Sequence, residues 1–346
     1  MIKVLITGVG SEGALGVIRS LREAWPDVFI IGLDTNAVTA HRRFTDEFVV
    51  PPLRSSPGYI PFVVALLKDH SCDVLWPIPT DELEMFAAAC AEIECETGCR
   101  VMIGSLESIS VANDKVRLYR HLGSHDIDVI APFKVATDIR TLDAAVAALG
   151  YPSVPVVIKP ARGAGSQGFR ILDPALERRR EYFRRLSLQQ RVLWEDLRPV
   201  FACDGVFPEM LVTEYLPGAE WDVDILAMEG KVLTAVTRES HSMFGGMATD
   251  AQVHENTLAK AAAVQIAASL GLSFVHNIAF RCDSEGKLRL LEINPRVPGT
   301  IIAATRAGVN IPALAVELLL HGQIESSIPP PSPVRLVRYW DEVVLQ

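Results

Sequence analysis

Over the first hundred residues, short apolar runs alternate with segments whose apolar positions recur every three to four residues. The runs 3–7, 29–33, 47–50, 73–76 and 100–103 predict strands, and 13–23, 57–68 and 81–96 carry helical spacing between them. Strands and helices alternating in this way imply right-handed crossovers and a parallel sheet covered by helices. The expectation is a doubly wound, Rossmann-like α/β domain over 1–108.

The texture then changes. Helices are expected at 114–125 and 140–149, followed by a strand at 156–159, a glycine-rich turn and a strand at 169–172. The stretch 177–198 is rich in Arg and Glu and reads as solvated helix. Strands at 211–215, 220–228, 231–238, 273–281 and 287–293, with an Ala-rich helix at 257–270, predict an α+β unit around an antiparallel sheet. This second domain is expected over 109–325, with a lid subdomain at about 150–215. Residues 326–346 read as a Pro-rich linker and a final strand over 335–345.

Composition narrows the class. The chain has 346 residues, 49% hydrophobic and 22% charged, enough for two or three units in one body. A net charge of −9 without a Lys/Arg run argues against nucleic acid as a partner. No apolar run approaches the roughly 20 residues of a membrane span. A strand begins almost at the first residue, with no basic-apolar leader, so a cytoplasmic protein off the membrane is expected. Cys90, Cys95 and Cys99 match no paired zinc spacing, and all six cysteines read as reduced thiols.

Two constellations compete for the chemistry. Gly8, Gly10 and Gly13 follow the first strand and open a helix, and Asp34 ends the second strand. That is the dinucleotide fingerprint, in which glycines admit a pyrophosphate and the carboxylate takes ribose hydroxyls. It supports an NAD(P)-dependent oxidoreductase as the alternative reading, although the same glycines suit a tight strand-to-helix turn.

The second constellation is spread over the rest of the chain. Lys159 ends a strand beside Gly163, Gly165, Ser166 and Gly168, a lysine and a glycine loop suited to triphosphate. Glu214, Tyr215 and Leu216 precede a strand break that exposes backbone to an adenine edge, and Glu220 follows it with a carboxylate for ribose. Glu292 and Asn294 lie two apart, on one face of a strand, as oxygen ligands for Mg²⁺, with Arg296 just beyond to neutralise a phosphoryl group.

With "NDK" at 113–115, "VVIKP", "GAGSQG", "EYLPGAEWDVD" and "LLEINPR" in order, the sequence resembles the ATP-grasp superfamily. It is most similar to carbamoyl-phosphate synthase large-subunit-like proteins and carboxylate-amine ligases acting on amino acids. The resemblance implies a pre-ATP-grasp domain followed by an ATP-grasp fold, with ATP and Mg²⁺ (or Mn²⁺) as cofactors. It further implies Lys115 and Lys159 on the nucleotide, loop 163–168 closing over the phosphates, and Glu214 with the backbone near Leu216 on adenine. Glu220 would meet ribose, Glu292 and Asn294 the metal, and Arg296 the reaction centre. Where the family carries Glu or Gln as a further metal ligand, this chain has Ala279, and Asn277 is the candidate substitute. That departure makes a catalytically impaired ATP-binding protein a further alternative. Arg238, followed by a glycine-rich loop at 244–247, is placed toward the acceptor pocket. The expected activity joins a carboxylate to an amine through an acyl phosphate. The expected partners are ATP, small carboxylate and amine substrates with amino acids among the candidates, and a second copy of the chain as a homodimer.

Overall fold

The computed structural model describes residues 1–163, 165–183, 190–203 and 206–344. The first sheet is all parallel in the order β3-β2-β1-β4-β5, from β1 (Lys3–Thr7), β2 (Phe29–Leu33), β3 (Glu47–Val49), β4 (Val74–Trp76) and β5 (Arg100–Val101). Helices Glu12–Ala24, Tyr59–His70 and Thr80–Thr97 provide three of the crossovers, and a 3-10 turn at Ala40–Phe44 lies in the connection from β2 to β3. Each of the three helices matches an expected helix to within two residues at either end, because the apolar period fixed it.

The second sheet has the order β6-β10-β7-β8-β9, from β6 (Phe133–Ala136), β7 (Val156–Pro160), β8 (Arg170–Leu172), β9 (Arg191–Val192) and β10 (Met210–Glu214). The continuous solvated helix expected over 177–198 is not what forms. Helix Arg178–Tyr182 ends early, β9 pairs with β8, and a new helix runs Trp194–Phe201; residues 184–189 of that expectation lie outside the described residues. Tertiary contacts override the charge pattern. Trp194 is buried and donates its indole N–H to Asp143, which also accepts two hydrogen bonds from Arg198.

The third sheet is antiparallel in the order β15-β14-β11-β12-β13-β16. Its strands are β11 (Glu220–Met228), β12 (Lys231–Phe244), β13 (Met247–Val253), β14 (Phe274–Cys282), β15 (Leu288–Asn294) and β16 (Val334–Val337). The strand expected to stop at 238 continues to Phe244, and the expected loop at 244–247 is the tip of a hairpin. Gly245 and Gly246 both take positive φ, 59° and 82°, as a tight two-residue connection requires. β16 pairs with β13 and ends well short of the expected 345, which itself lies outside the described residues.

The first domain and the end of the chain share one core. Val17, Ile18 and Leu21 of helix Glu12–Ala24 are buried in the same cluster as Val297, Ile301, Ala304, Leu314 and Leu318. A Cβ on Gly16 would lie 2.6 Å from Ile301 Cγ2, and one on Gly13 would lie 3.2 Å from the Val297 carbonyl oxygen. Glycine at both positions is what lets this helix dock.

Candidate functional site

A cleft of about 1020 Å³ opens between the second and third sheets. Its polar wall includes Lys115, Lys159, Ser166, Glu220, Arg281 and Glu292. Lys159 stands at the end of β7. Lys115 opens helix Lys115–Ser124, whose cap Asp114 accepts from the N–H groups of Val116 and Arg117. The two lysines are held in register because the Lys115 N–H donates to the Ala161 carbonyl at 2.8 Å.

Each ammonium is oriented by a carbonyl. Lys159 Nζ donates to the Leu291 carbonyl at 2.8 Å and sits 5.6 Å from the centre of the Tyr119 ring. Lys115 Nζ donates to the Gly163 carbonyl at 2.9 Å and lies 3.9 Å from Glu292 Oε2. Burial, together with the charge on Lys115, lowers the Lys159 ammonium to about 8, with Glu292 opposing the shift. Two cations facing one cleft, one of them poorly compensated, form an anion-binding arrangement.

Two glycine segments roof this cleft. In loop 163–168, Gly163, Gly165, Ser166 and Gly168 all adopt positive φ, and a Cβ on Gly168 would overlap the Pro160 ring; Ala164 lies outside the described residues. From the other side comes the β12–β13 hairpin. A Cβ on Gly246 would lie 3.0 Å from Ser166 Oγ.

Beneath the cleft, the third sheet carries a buried polar network. Arg238 Nη1 donates to Asp222 Oδ2 at 2.7 Å, and its Nε donates to Asp224 Oδ2 at 3.2 Å. Asn277 Nδ2 donates to Oδ1 of both Asp222 and Asp224, at 3.1 and 2.9 Å. This fixes the amide so that its oxygen accepts from Asn294 Nδ2 at 3.2 Å, and Asn294 Nδ2 also reaches Glu292 Oε1 at 3.3 Å. Arg296 Nη2 donates to Asn294 Oδ1 at 3.3 Å. The chain of contacts is continuous from Arg238 to Glu292.

The expected site residues therefore divide into two groups. Lys115, Lys159, Gly163, Ser166, Glu220 and Glu292 line the cleft. Arg238, 3% exposed, and Asn277, also 3% exposed, are held behind it by Asp222 and Asp224. Asn294 and Arg296 connect the groups. Glu214, whose carboxyl is raised by burial, has its Oε1 buried without a partner, and Leu216 is buried. The Tyr215 hydroxyl accepts from Arg191 of β9, whose guanidinium lies 5.0 Å from its ring. At this end the wall of the cleft is made by Gly218, Ala219 and Glu220. Burial, then Asp222, raises Glu220 to about 7, while Arg281 opposes the shift.

Several cleft residues were not legible. Arg281 donates to the Gly218 carbonyl and lies 3.6 Å from Glu220 Oε2. Ser240, whose hydroxyl donates to Asp222, and the hairpin residues 241–246 also reach the cleft. Their signal was the alternation of β12, masked in the sequence by a polar stretch that resembles a turn.

Toward a metal, the relevant donors are Glu292 and the amides of Asn294 and Asn277. Among the described residues no group of three His, Cys, Asp or Glu gathers as a metal cage. Ala279 stands opposite Glu292 on β14, and Asn277 stands opposite Asn294. The partly exposed Glu292 carboxylate is a hard oxygen donor that suits Mg²⁺, which keeps several waters, while the Asn294 amide turns its nitrogen to Glu292 and its oxygen to Arg296 and would have to turn over to ligate.

Packing accounts for the glycines of the first domain. A Cβ on Gly8 would fall 2.2 Å from Pro79 Cγ, and one on Gly10 would fall 2.8 Å from Asp34 Oδ2. Asp34 already accepts from the N–H groups of Gly10 and Asn36, each at 2.8 Å.

Residues 206–342 match the model of a family described as "ATP-grasp in the biosynthetic pathway with Ter operon". Carnosine synthase 1 of Gallus gallus is 29% identical over an alignment of 201 residues that covers 54% of this chain and 20% of that protein. The chain thus spans about a fifth of the length of this curated relative. Among solved structures, L-amino acid ligase from Bacillus licheniformis superimposes with a TM-score of 0.67 at 14% identity, covering 97% of this chain and 79% of that one. A biotin carboxylase-β-γ-ATP complex from Campylobacter jejuni gives 0.67 at 16% identity, covering 95% and 72%. N5-carboxyaminoimidazole synthetase from Staphylococcus aureus, complexed with ADP, gives 0.64 at 15% identity, covering 95% and 78%. These likenesses bear out the fold that the sequence resemblance implied.

Proposed function

We propose, on the premise of an ATP-grasp fold, that this chain is an ATP-dependent carboxylate-amine ligase. The observation that carries the reading is the convergence of Lys115, Lys159 and Glu292 on one cleft beneath two glycine segments. Solved structures of the same fold, one complexed with ADP and one a β-γ-ATP complex, support a nucleotide there.

In this reading, adenine and ribose take the end formed by Gly218, Ala219 and Glu220. The base edge would meet the backbone of the strand break before β11, around Leu216, upstream of the Gly218 and Ala219 groups already tied to Cys282 and Arg281, and Glu220, raised to about 7, can accept from or donate to a ribose hydroxyl. Lys115 and Lys159 hold the phosphates, and backbone N–H groups of loop 163–168 close over them. Glu292 and Asn294 would hold Mg²⁺, which when bound neutralises phosphate charge. Arg296, half-buried and bonded to Asn294 two residues past Glu292, stands ready for charge that develops on the transferred group. Arg238 is a positioning residue here, since both its carboxylate partners lie behind the cleft.

The chemistry follows from that placement. A substrate carboxylate oxygen attacks the γ-phosphorus and ADP leaves, which gives an acyl phosphate. An amine then attacks the acyl carbon, phosphate departs, and the amine proton is lost. Products are an amide, ADP and phosphate.

Calorimetry with ATP and Mg²⁺, followed by phosphate release with pooled amino acids, tests the assignment. Micromolar nucleotide binding with release that depends on added carboxylate and amine is the expected result. Binding of NAD with no response to ATP would transfer the function to the first domain.

A further inference from the structure

The cleft is not uniformly polar. Around Lys115, Lys159, Glu220 and Glu292 the wall is charged, but along the β12–β13 hairpin it includes Met243 and Phe244, which are 44% and 46% exposed. Large apolar side chains left in water at the lip of a polar cleft invite a ligand to cover them.

Their location ties them to the reacting end. The tip of the hairpin touches two landmarks: Gly246 faces Ser166 of the phosphate loop, and Met247 Sδ would lie 3.6 Å from a Cβ on Gly299, three residues beyond Arg296. Met243 and Phe244 therefore belong to the end of the hairpin that meets both the phosphate loop and the segment following Arg296, and both line the cleft.

The Phe244 ring is also braced from outside. Trp340 meets it edge-on, with centroids 5.6 Å apart and planes at 76°. The segment leading to Trp340 is anchored in turn: β16, three residues earlier, pairs with β13, the Arg338 N–H donates to the Thr249 carbonyl, and the Arg338 guanidinium reaches the carbonyls of Ala248 and Gly299. A half-exposed ring steadied by an edge-on neighbour on an anchored segment is a preorganised surface for an apolar group.

We propose that Met243 and Phe244 form the specificity wall of the acceptor end, and that this wall selects a substrate with an apolar side chain, such as an amino acid of the Leu, Met or Phe type. This rests on the ligase reading and adds the substrate class to it. Trp340 acts through Phe244 as a positioning residue.

The test is a phosphate-release panel on the full chain with ATP, Mg²⁺ and pairwise mixtures of L-amino acids, run beside calorimetry with an ATP analogue. Mixtures containing Leu, Met or Phe should exceed those limited to Ala, Ser and Asp by about tenfold or more in kcat/KM, the discrimination expected of an apolar pocket. Phe244→Ala should cut the Leu-over-Ala ratio about tenfold, mainly through KM, and Trp340→Ala should lower the same ratio by less, with Trp340→Phe restoring part of it. A flat panel, a preference for charged side chains, or an unchanged ratio in Phe244→Ala overturns the proposal. So does nucleotide binding without release from any mixture. Absence of nucleotide binding is a separate result and removes the ligase reading itself.

Discussion

Replacing Lys159 by Met should make the nucleotide-free protein more stable while impairing its function. The wild-type ammonium falls from its ordinary 10.5 to about 8, with burial the largest cause. That difference corresponds to roughly 3 kcal/mol by which the folded protein disfavours the charged form. The sign follows from linkage. Between pH 8 and 10.5 the unfolded chain binds the extra proton, so the stability withheld at pH 7 returns as pH rises through that window. Met removes the charge but also the hydrogen bond to the Leu291 carbonyl, a loss of about 1 kcal/mol. The net gain for Lys159→Met at pH 7 is about 2 kcal/mol, shrinking to nothing or below by pH 10. ATP should behave oppositely. A charge-assisted contact worth about 1.5–3 kcal/mol is lost, which weakens affinity roughly 10- to 150-fold. Urea denaturation at pH 7 and 10, with and without ATP, measures both effects. A variant that is less stable than wild type at pH 7, or that binds ATP as tightly, would refute the placement of Lys159 and the reasoning from its burial.

Other predictions probe separate parts of the molecule. Glu82, buried and accepting from Tyr59, is raised to about 7, chiefly by burial; Glu82→Gln should stabilise the protein above pH 7 by up to roughly 3 kcal/mol and by nothing near pH 4.5, read from urea midpoints across pH. Arg238→Met leaves Asp222 and Asp224 without their counter-charge and should cost about 3–5 kcal/mol in urea denaturation. Glu292→Gln should raise the Mg²⁺ concentration for half-maximal phosphate release roughly tenfold or more, whereas Ala279→Glu, flanked by Asp222 and Glu292, should destabilise the metal-free protein and tighten Mg²⁺. Gly8→Ala should cost more than about 2 kcal/mol through its overlap with Pro79, and calorimetry of the wild type with NAD and NADP should show no binding heat.

Legibility followed the range of the interactions. The first sheet was readable because strand runs and helical periods are local, and helix Thr257–Leu270 was readable to the residue for the same reason. The charged stretch after 177 misled because Trp194 and Arg198 answer to Asp143, some fifty residues earlier. Lys159 and Glu292 were identifiable because each sits at a strand end inside a short pattern. Arg238 was placed at the acceptor from its position in the chain. Its burial under Asp222 and Asp224 depends on the pairing of β11 with β12, which no single segment reveals. The dinucleotide-like glycines were visible but underdetermined. Only the positions of Pro79, Asp34, Val297 and Ile301 show what each glycine is accommodating.

The docking of helix Glu12–Ala24 onto the end of the chain has a consequence for how the protein is made. Ser20 Oγ is bonded to Thr305 Oγ1, and its carbonyl accepts from Asn310, residues 285 and 290 positions later. During synthesis at roughly 5–20 residues per second, the first sheet can pair early but must wait on the order of tens of seconds for the segment that covers this helix. Throughout that interval Val17, Ile18 and Leu21 lack part of their cover. The N-terminal hundred residues expressed alone would keep that face open and should associate or bind a holdase chaperone, so the practical cutting point for a folded fragment is not the boundary between the first two sheets.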